Sequence, residues 1–339
     1  MPRVVRFHET GAPDVLRVED IDVPAAKAGE VRIQVAAFGL NRAEVMMRAG
    51  QYVATPEFPS RLGYEAAGII ESVGPGVTDF QVGDRVGVVP FLSSDSEGRW
   101  TGDSAVHGTY GELAVLPAEM VAHNPDNVSD LDCAAMWMQY VTAWGGIVEF
   151  AKVQAGETVL VTAGSSSAAL GALQIAKAEG ASVIATTRTG EKKSFLLEAG
   201  ADHVIVTDEE DIAEAGLALT GGRGVDVIYD PVGGPNFEAF AKVTAPMARI
   251  VNFGVLERGP AHFDVLTMLA KRIVIRFHSI FDTARFPEQR ERAKSYVYER
   301  AGSGVLKPII DRVFPLDQIA EAHRHMESTT QRGKIVVTT

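Results

Sequence analysis

Residues 159–190, VLVTAGSSSAALGALQIAKAEGASVIATTRTG, set one glycine and three serines at a turn between an apolar run and a helix-like run. The chemistry open to such a turn is anion binding. In a turn that cradles a dinucleotide, the first glycine permits a tight bend and the second lets the backbone approach the diphosphate. The third lets helix pack on strand, and alanine is accepted there. This chain puts Gly164, Ser166 and Ala169 at those positions, so only Ser166 departs, adding a side chain but also a hydroxyl donor. Ser165 sits at a free position, Ser167 shapes the turn, and Ala168 completes the segment expected to bind a cofactor. The helix N-terminus that follows brings unpaired N–H groups and the positive end of its dipole. Two readings stand at the loop itself: a hydroxyl-lined phosphate cradle, or serine and alanine capping an ordinary strand–helix unit. The next strand favours the cradle. It ends VIATTRT, and where an Asp or Glu would hold a ribose there is Thr187, followed by Arg188. Without the acid a 2′-phosphate is not repelled, and Arg188, with Lys192 or Lys193, can pair with it. The expected cofactor is therefore NADP(H) rather than NAD(H), the competing reading of Arg188 being a surface arginine at a strand end.

The elements around this turn alternate. TVLVTA, SVIATT, HVIVT, VDVIYD, ARIVNFG and IVIRFHS are short apolar runs, separated by helix-like stretches such as AALGALQIAKAEG, NFEAFAKVT and DVLTMLAKR. Nearly continuous apolar strands alternating with helices imply a doubly wound parallel sheet covered on both faces. Residues 1–120 read differently. EVRIQVAAFGL, AAGIIESVG and DRVGVVPFL are β-branched runs broken by turns, and Gly63, Gly68, Gly74, Gly76 and Gly83 punctuate them as a barrel-like domain requires. Residues 91–108 read as a long polar surface loop. CAAMWMQYVTAWGGIVEFAKV has helical spacing, VFPLDQIAEAHRHMES reads as a helix, and the closing KIVVTT reads as a strand returning to the N-terminal domain. The expected division is 1–123 with 307–339 as one domain and 124–306 as the dinucleotide-binding domain.

Bulk properties exclude several functions. The 339-residue chain carries a formal net charge of −12, which argues against nucleic acid as a partner. The basic residues between Arg285 and Arg300 alternate with Glu288, Glu291 and Glu299, as on a solvated helix face. A single cysteine, Cys133, allows neither an intrachain disulfide nor a cysteine-cluster zinc site. No apolar run approaches the ~20 residues of a membrane span, and the N-terminus has no signal-peptide core. A cytoplasmic location is the expectation.

Several segments, in order, carry a resemblance: FGLNRAEVMMRAGQY, LGYEAAGIIESVGPGVTDFQVGDRV, GTYGEL, the 162–186 unit, AGADHVI, TGGRGVDVIYDPVGG, VNFG, and FPLDQIAEAHRHMES followed by GKIVV. Over essentially its whole length the chain resembles the medium-chain dehydrogenase/reductase superfamily, in its zinc-independent quinone oxidoreductase (zeta-crystallin-like) branch. The resemblance implies an α/β fold in which a Rossmann sheet is inserted in a GroES-like β-barrel catalytic domain. Zinc dehydrogenases of the superfamily have G-H-E where this chain has Gly63-Tyr64-Glu65. Their first cysteine ligand aligns with Asn41, and residues 91–108, where a structural zinc lobe would fall, hold no cysteine. No metal is expected, because Glu65 alone cannot complete a tetrahedral set; it reads as an ion-pair partner, and His107 as a loop residue.

Without zinc, the reaction that remains is hydride transfer from NADPH to an already electrophilic acceptor, a quinone or an α,β-unsaturated carbonyl, with a neutral donor near the acceptor oxygen. Carried over from the family, the catalytic residues are Asn41 and Tyr52, with Tyr64 at the vacated zinc position. Tyr52 reads equally as a pocket wall and Asn41 as a turn residue. The same resemblance puts Thr142 near the nicotinamide, Phe253 and Gly254 beneath its ring, Asp230 and Gly233 on another wall, and Lys334 either on the cofactor or closing the β domain. Phe91 and Trp100 either line the acceptor pocket or anchor their loop. The expected activity is that of an NADPH-dependent quinone oxidoreductase or alkene reductase, acting on a small molecule as a homodimer joined through the Rossmann domain. The alternatives are an enoyl-thioester reductase of the same fold and a non-enzymatic dinucleotide-binding homologue.

Overall fold

A computed structural model describes residues 1–53, 55–90, 107–234 and 236–339. The chain divides into two compact units, one formed by Met1–Met138 with Ala284–Thr339 and the other by Gln139–Thr283.

In the first unit a sheet is built around Glu30–Gly39. Val31, Ile33 and Val35 are buried while Gln34 is exposed, the period of two that turns one face of a strand inward. Across the sheet the order is Ile310–Pro315, Lys334–Thr338, Glu30–Gly39, Ala66–Val73, Arg85–Val88 and Val121–His123, and Leu113–Pro117 also pairs with Glu30–Gly39. All these pairs are antiparallel except Ile310–Pro315 with Lys334–Thr338. The closing strand thus lies against the N-terminal domain, with Val336 opposite Gly39. A smaller sheet joins Arg17–Asp20, Arg3–Phe7 and Ser60–Arg61. The core between these layers includes Phe7, Phe38, Tyr110, Phe314 and Ile335.

The second unit is a six-stranded, wholly parallel sheet in the order His203–Val206, Ser182–Thr187, Thr158–Val161, Val225–Asp230, Thr244–Asn252, Val274–Phe277. The chain runs outward from Thr158–Val161 in one direction, then crosses over and runs outward in the other. Such a reversal leaves a crevice beyond the carboxyl ends of the two central strands. Helices Ser167–Ala178, Ile212–Leu219 and Asn236–Val243 cover the sheet, and Phe237 and Phe240 fill part of its core.

The two compact units meet along the chain at Met138/Gln139 and Thr283/Ala284. The physical reason lies in side chains of the first unit. The Met138 N–H donates to Glu65 at 2.9 Å, and Trp137 occupies the space where Gly87 would otherwise carry a Cβ. Arg290, from helix Pro287–Gly302, bonds Glu119 at 2.8 Å, and Lys294 bonds the Glu119 carbonyl at 2.6 Å. Two segments differ from expectation. The helix from Asp130 is α-helical only to Trp144 and continues as a π-helix over Gly145–Phe150. VFP belongs to a strand, and the helix following it spans Ile319–Glu327. Among the described residues no helix is long and apolar enough to cross a membrane.

Candidate active site

In the second unit, the turn after Thr158–Val161 gives its left-handed conformation to Ala163 (φ 48°), at a cost of about 1–2 kcal/mol for a residue with a Cβ. Gly164 serves close packing: a Cβ there would meet the Ala185 side chain and the Thr186 carbonyl at 3.1 Å. Ser166 is the N-cap of helix Ser167–Ala178, its Oγ accepting from the Ala169 N–H at 3.3 Å. That leaves the Ser166 hydroxyl proton to give, and the N–H groups of Ser167 and Ala168 without a partner inside the helix. Lys192 donates to the Ser165 Oγ at 3.0 Å. Ser165 to Ala168 are all half-buried, and Arg188 is exposed. Thr187 is buried and donates to the Thr189 carbonyl at 3.2 Å. A glycine that a Cβ would crowd, a capped helix start and an ammonium beside it form a cradle that fits a dinucleotide's phosphates.

Three neighbouring strands end in bonded polar side chains. Asp230 accepts from the Thr162 hydroxyl at 2.5 Å, the Gly233 N–H at 2.7 Å and the Asn252 amide at 2.9 Å. The Phe253 N–H bonds the Asp230 carbonyl at 2.9 Å, and the Phe253 ring stacks on Tyr229 at 4.1 Å. Gly254 has room only for hydrogen, since a Cβ would lie 2.8 Å from the Pro231 carbonyl. The Thr142 carbonyl, at the entry to the π-helix, accepts from the His278 Nε2 at 3.1 Å. Burial pushes that imidazole down to about 4, so it is neutral and donates through Nε2.

In the first unit, Asn41 and Glu44 form a capping box on helix Arg42–Arg48. Glu44 also receives the Tyr64 N–H at 2.8 Å and the Tyr110 hydroxyl at 2.7 Å. Its burial pushes the carboxyl from 4.5 up to about 7, against those donors. Glu65 and Lys334 form an ion pair with both side chains fully buried. The Lys334 Nζ donates to the Asn41 Oδ1 at 2.6 Å, and the Asn41 amide donates to Glu65 at 3.1 Å and the Gly39 carbonyl at 3.4 Å. Tyr52 packs half-buried on the core, and burial, with Glu44 nearby, pushes its hydroxyl up to about 12. Tyr64 is buried, and burial followed by the nearness of Tyr52 and Glu44 raises its hydroxyl further.

The structure therefore brings Asn41, Glu65 and Lys334 together, with Glu44 and Tyr64 alongside. Lys334 is buried in the first unit, with its ammonium bonded to Glu65 and Asn41. Both ends of the Asn41 amide are likewise occupied. Gly164, Ser165, Ser166, Ser167, Ala168 and Lys192 gather at one turn, while Phe253 and Gly254 follow Asp230 in space. Phe91 and Trp100 lie outside the described residues. Sequence reasoning missed Glu44, although the N-x-x-E spacing of Asn41 and Glu44 is a capping-box signal. It also missed Thr162 and His278, whose partners lie 68 and 136 residues away and leave no local pattern.

Two family descriptions match the chain: an alcohol dehydrogenase GroES-like domain over residues 27–126 and a zinc-binding dehydrogenase over residues 199–337. Over 337 residues the chain is 31% identical to the quinone oxidoreductase of Rattus norvegicus, covering 99% of this chain and 97% of that one. Among solved structures, an NAD-dependent alcohol dehydrogenase matches with a TM-score of 0.89 at 31% identity, over 99% of both chains. The Escherichia coli quinone oxidoreductase complexed with NADPH matches with a TM-score of 0.87 at 27% identity, over 99% of this chain and 100% of that one. A GroES-like domain carrying an inserted Rossmann sheet, matched end to end in this way, defines an oxidoreductase of the medium-chain dehydrogenase/reductase superfamily. Within that superfamily the chain belongs to the zinc-independent quinone oxidoreductase branch.

The zinc in one family description does not fit this donor set. Among the described residues no three His, Cys, Asp or Glu side chains converge as metal ligands. Tyr64 stands where a histidine would, and Glu65 already faces the Lys334 ammonium and the Asn41 amide.

Lys334→Met should destabilise the protein by about 3–5 kcal/mol in chemical denaturation, the cost of leaving one partner of a buried pair alone. Adding Glu65→Gln should recover most of that loss. A loss under about 1 kcal/mol, typical of an exposed pair, would refute the assignment. For Glu44 the folded value lies above the unfolded one, so the native state holds the extra proton between pH 4.5 and about 7. Stability should then fall as pH rises through that window, and Glu44→Gln should flatten the slope; an unchanged slope would show that another group titrates.

Proposed function

We propose that the protein is an NADPH-dependent, zinc-independent reductase of quinones or of α,β-unsaturated carbonyl compounds. The observation that carries the reading is the contact of Lys192 with Ser165, beside a strand that ends at Thr187 without an acid. Bound there, NADPH would supply a hydride, which with one proton from water reduces the acceptor by two electrons. The Ser166 hydroxyl and the N–H groups of Ser167 and Ala168 would hold the diphosphate, and Arg188 with Lys192 the 2′-phosphate. Thr142, Phe253 and Gly254 would border the nicotinamide. The Tyr52 hydroxyl has no hydrogen-bond partner among the described residues. With its proton held up to about 12 it stays a neutral donor at pH 7, suited to an acceptor oxygen that gains negative charge. Asn41, engaged at both ends, would shape the wall beside it together with Tyr64. The names of the rat and Escherichia coli relatives, and the NADPH in the latter, support this reading. A reducing cytoplasm suits Cys133, a buried thiol pushed up to about 12.

We also propose that two copies pair through the second unit. Strand Val274–Phe277 has one sheet neighbour among the described residues and leaves its other edge open. Around it Phe277 is 66% exposed, and Leu266 and Leu269 on the preceding helix are 79% and 72% exposed. An open strand edge beside an apolar patch is a template for another chain, and a second copy supplies a matching edge.

Absorbance at 340 nm, followed with NADPH or NADH and a panel of quinones and enones, tests the activity. Oxidation should be faster with NADPH, and Arg188→Ala should raise KM for NADPH about tenfold or more, as loss of a charged phosphate contact does, while leaving KM for NADH nearly unchanged. No oxidation with any acceptor, or equal effects on both cofactors, would sink the respective assignments. In sedimentation, the protein should run at about twice its 36.3 kDa chain mass, and Val274→Asp with Phe277→Asp should return it to the monomer. A monomeric wild-type protein would refute the pairing.

A further inference from the structure

Asp230 closes strand Val225–Asp230 and its side chain is fully buried. Among the described residues no lysine, arginine or histidine lies within ion-pair distance of it. Its three partners, the Thr162 hydroxyl, the Gly233 N–H and the Asn252 amide, are neutral donors. Donors of this kind satisfy the lone pairs of a carboxylate without cancelling its charge. Burial raises its carboxyl while those donors oppose the rise; it is the geometry, with O–H and N–H donors aimed at both carboxylate oxygens, that favours the ionised form, for which the fold supplies no countercharge.

Its position gives that anion a use. The strand order reverses between Thr158–Val161 and Val225–Asp230, and the bond from Thr162 to Asp230 spans the reversal. In a doubly wound sheet a dinucleotide lies across this point, one mononucleotide over each half. Arg188 and Lys192 follow strand Ser182–Thr187 and mark that half as the adenosine side. The nicotinamide then falls to the half that begins with Val225–Asp230, where Phe253 and Gly254 also emerge. The oxidised nicotinamide ring carries a positive charge and the reduced ring is neutral. We propose that Asp230 is a positioning residue of electrostatic kind, a fixed buried countercharge that favours the oxidised over the reduced nicotinamide. The inference rests on the dinucleotide reading above. Asp230 does not touch the ring; it acts through the low-dielectric interior, and it makes loss of a hydride from the bound cofactor more favourable.

The test is the ratio of dissociation constants for NADP+ and NADPH, measured by calorimetry on the full chain, with thermal melts to report folding. In Asp230→Asn the ratio should rise on the order of tenfold, roughly what one unit charge exerts over ~10 Å at an effective dielectric of ~20. Asn252 is the register partner of Asp230 on the adjacent strand. The paired exchange of Asp230→Asn with Asn252→Asp moves the charge by one strand and preserves the amide–carboxylate bond, so it should keep the ratio near that of the wild type. A purely structural role would weaken both nucleotides equally. A folded Asp230→Asn with an unchanged ratio overturns the proposal, as does an exchanged pair whose ratio rises as in the single variant. Failure of both variants to fold overturns it as well, since the carboxylate is then a requirement of folding. A wild-type protein that binds neither nucleotide refutes the functional reading instead.

Discussion

An ammonium removed from water must have its countercharge fixed beside it, and Lys334 meets that demand on Glu65. The pair ties the last strand to the segment that follows Gly63, across most of the chain. Much of the first unit is arranged to make room for it. Gly39 carries no side chain because a Cβ would lie 2.6 Å from the Lys334 Cε and 2.7 Å from a Glu65 oxygen. Gly63, at φ 119°, delivers Tyr64 and Glu65 to the interior where a Cβ would strike the Tyr110 N–H at 2.7 Å. The second Glu65 oxygen takes the Met138 N–H, so the same carboxylate fixes the helix at which the two units divide. One pair thereby holds a sheet, a turn and a helix in register.

Glu44 extends that network without an ammonium of its own. Its carboxyl accepts from Asn41, Tyr64 and Tyr110, and its proton is held up to about 7 because burial outweighs those bonds. Asn41 links the two carboxylates: its backbone N–H serves Glu44 and its side chain serves Glu65 and Lys334. An amide committed in this way is held in one orientation. The hydroxyl of the half-buried Tyr52 has no hydrogen-bond partner among the described residues, which is why the proposed chemistry falls on it.

Much of the second unit was legible in the sequence because strands buried on both faces appear as continuous apolar runs, as VLV and VDVIY do. The turn residues at 164–168 were legible because a strand, a glycine and a helix occur there in order. The unit boundary was not. Cys133 to Val141 are buried on every side, so apolar spacing cannot say which residues serve which unit. The π-helix over Gly145–Phe150 escaped for a related reason: GGIVEF continues a helical pattern. The Glu65–Lys334 pair escaped because a contact between such distant positions leaves no periodic trace. The family pattern nonetheless located both residues, and it was their partnership that needed coordinates.

The serines at the turn resolve into different physical tasks. Where three glycines would give a bare backbone, this loop assigns the left-handed step to Ala163 and close packing to Gly164. Ser166 then satisfies the Ala169 N–H itself, which takes one donor from any anion at the helix start and returns a hydroxyl in its place. Ser165 holds the Lys192 ammonium against the turn, so positive charge is added next to the donor that was removed. The exchange conserves the capacity for hydrogen bonding and increases the local positive charge. A loop that had merely lost its glycines would show the first change without the second, and the Lys192 contact is what supports the proposed phosphate cradle.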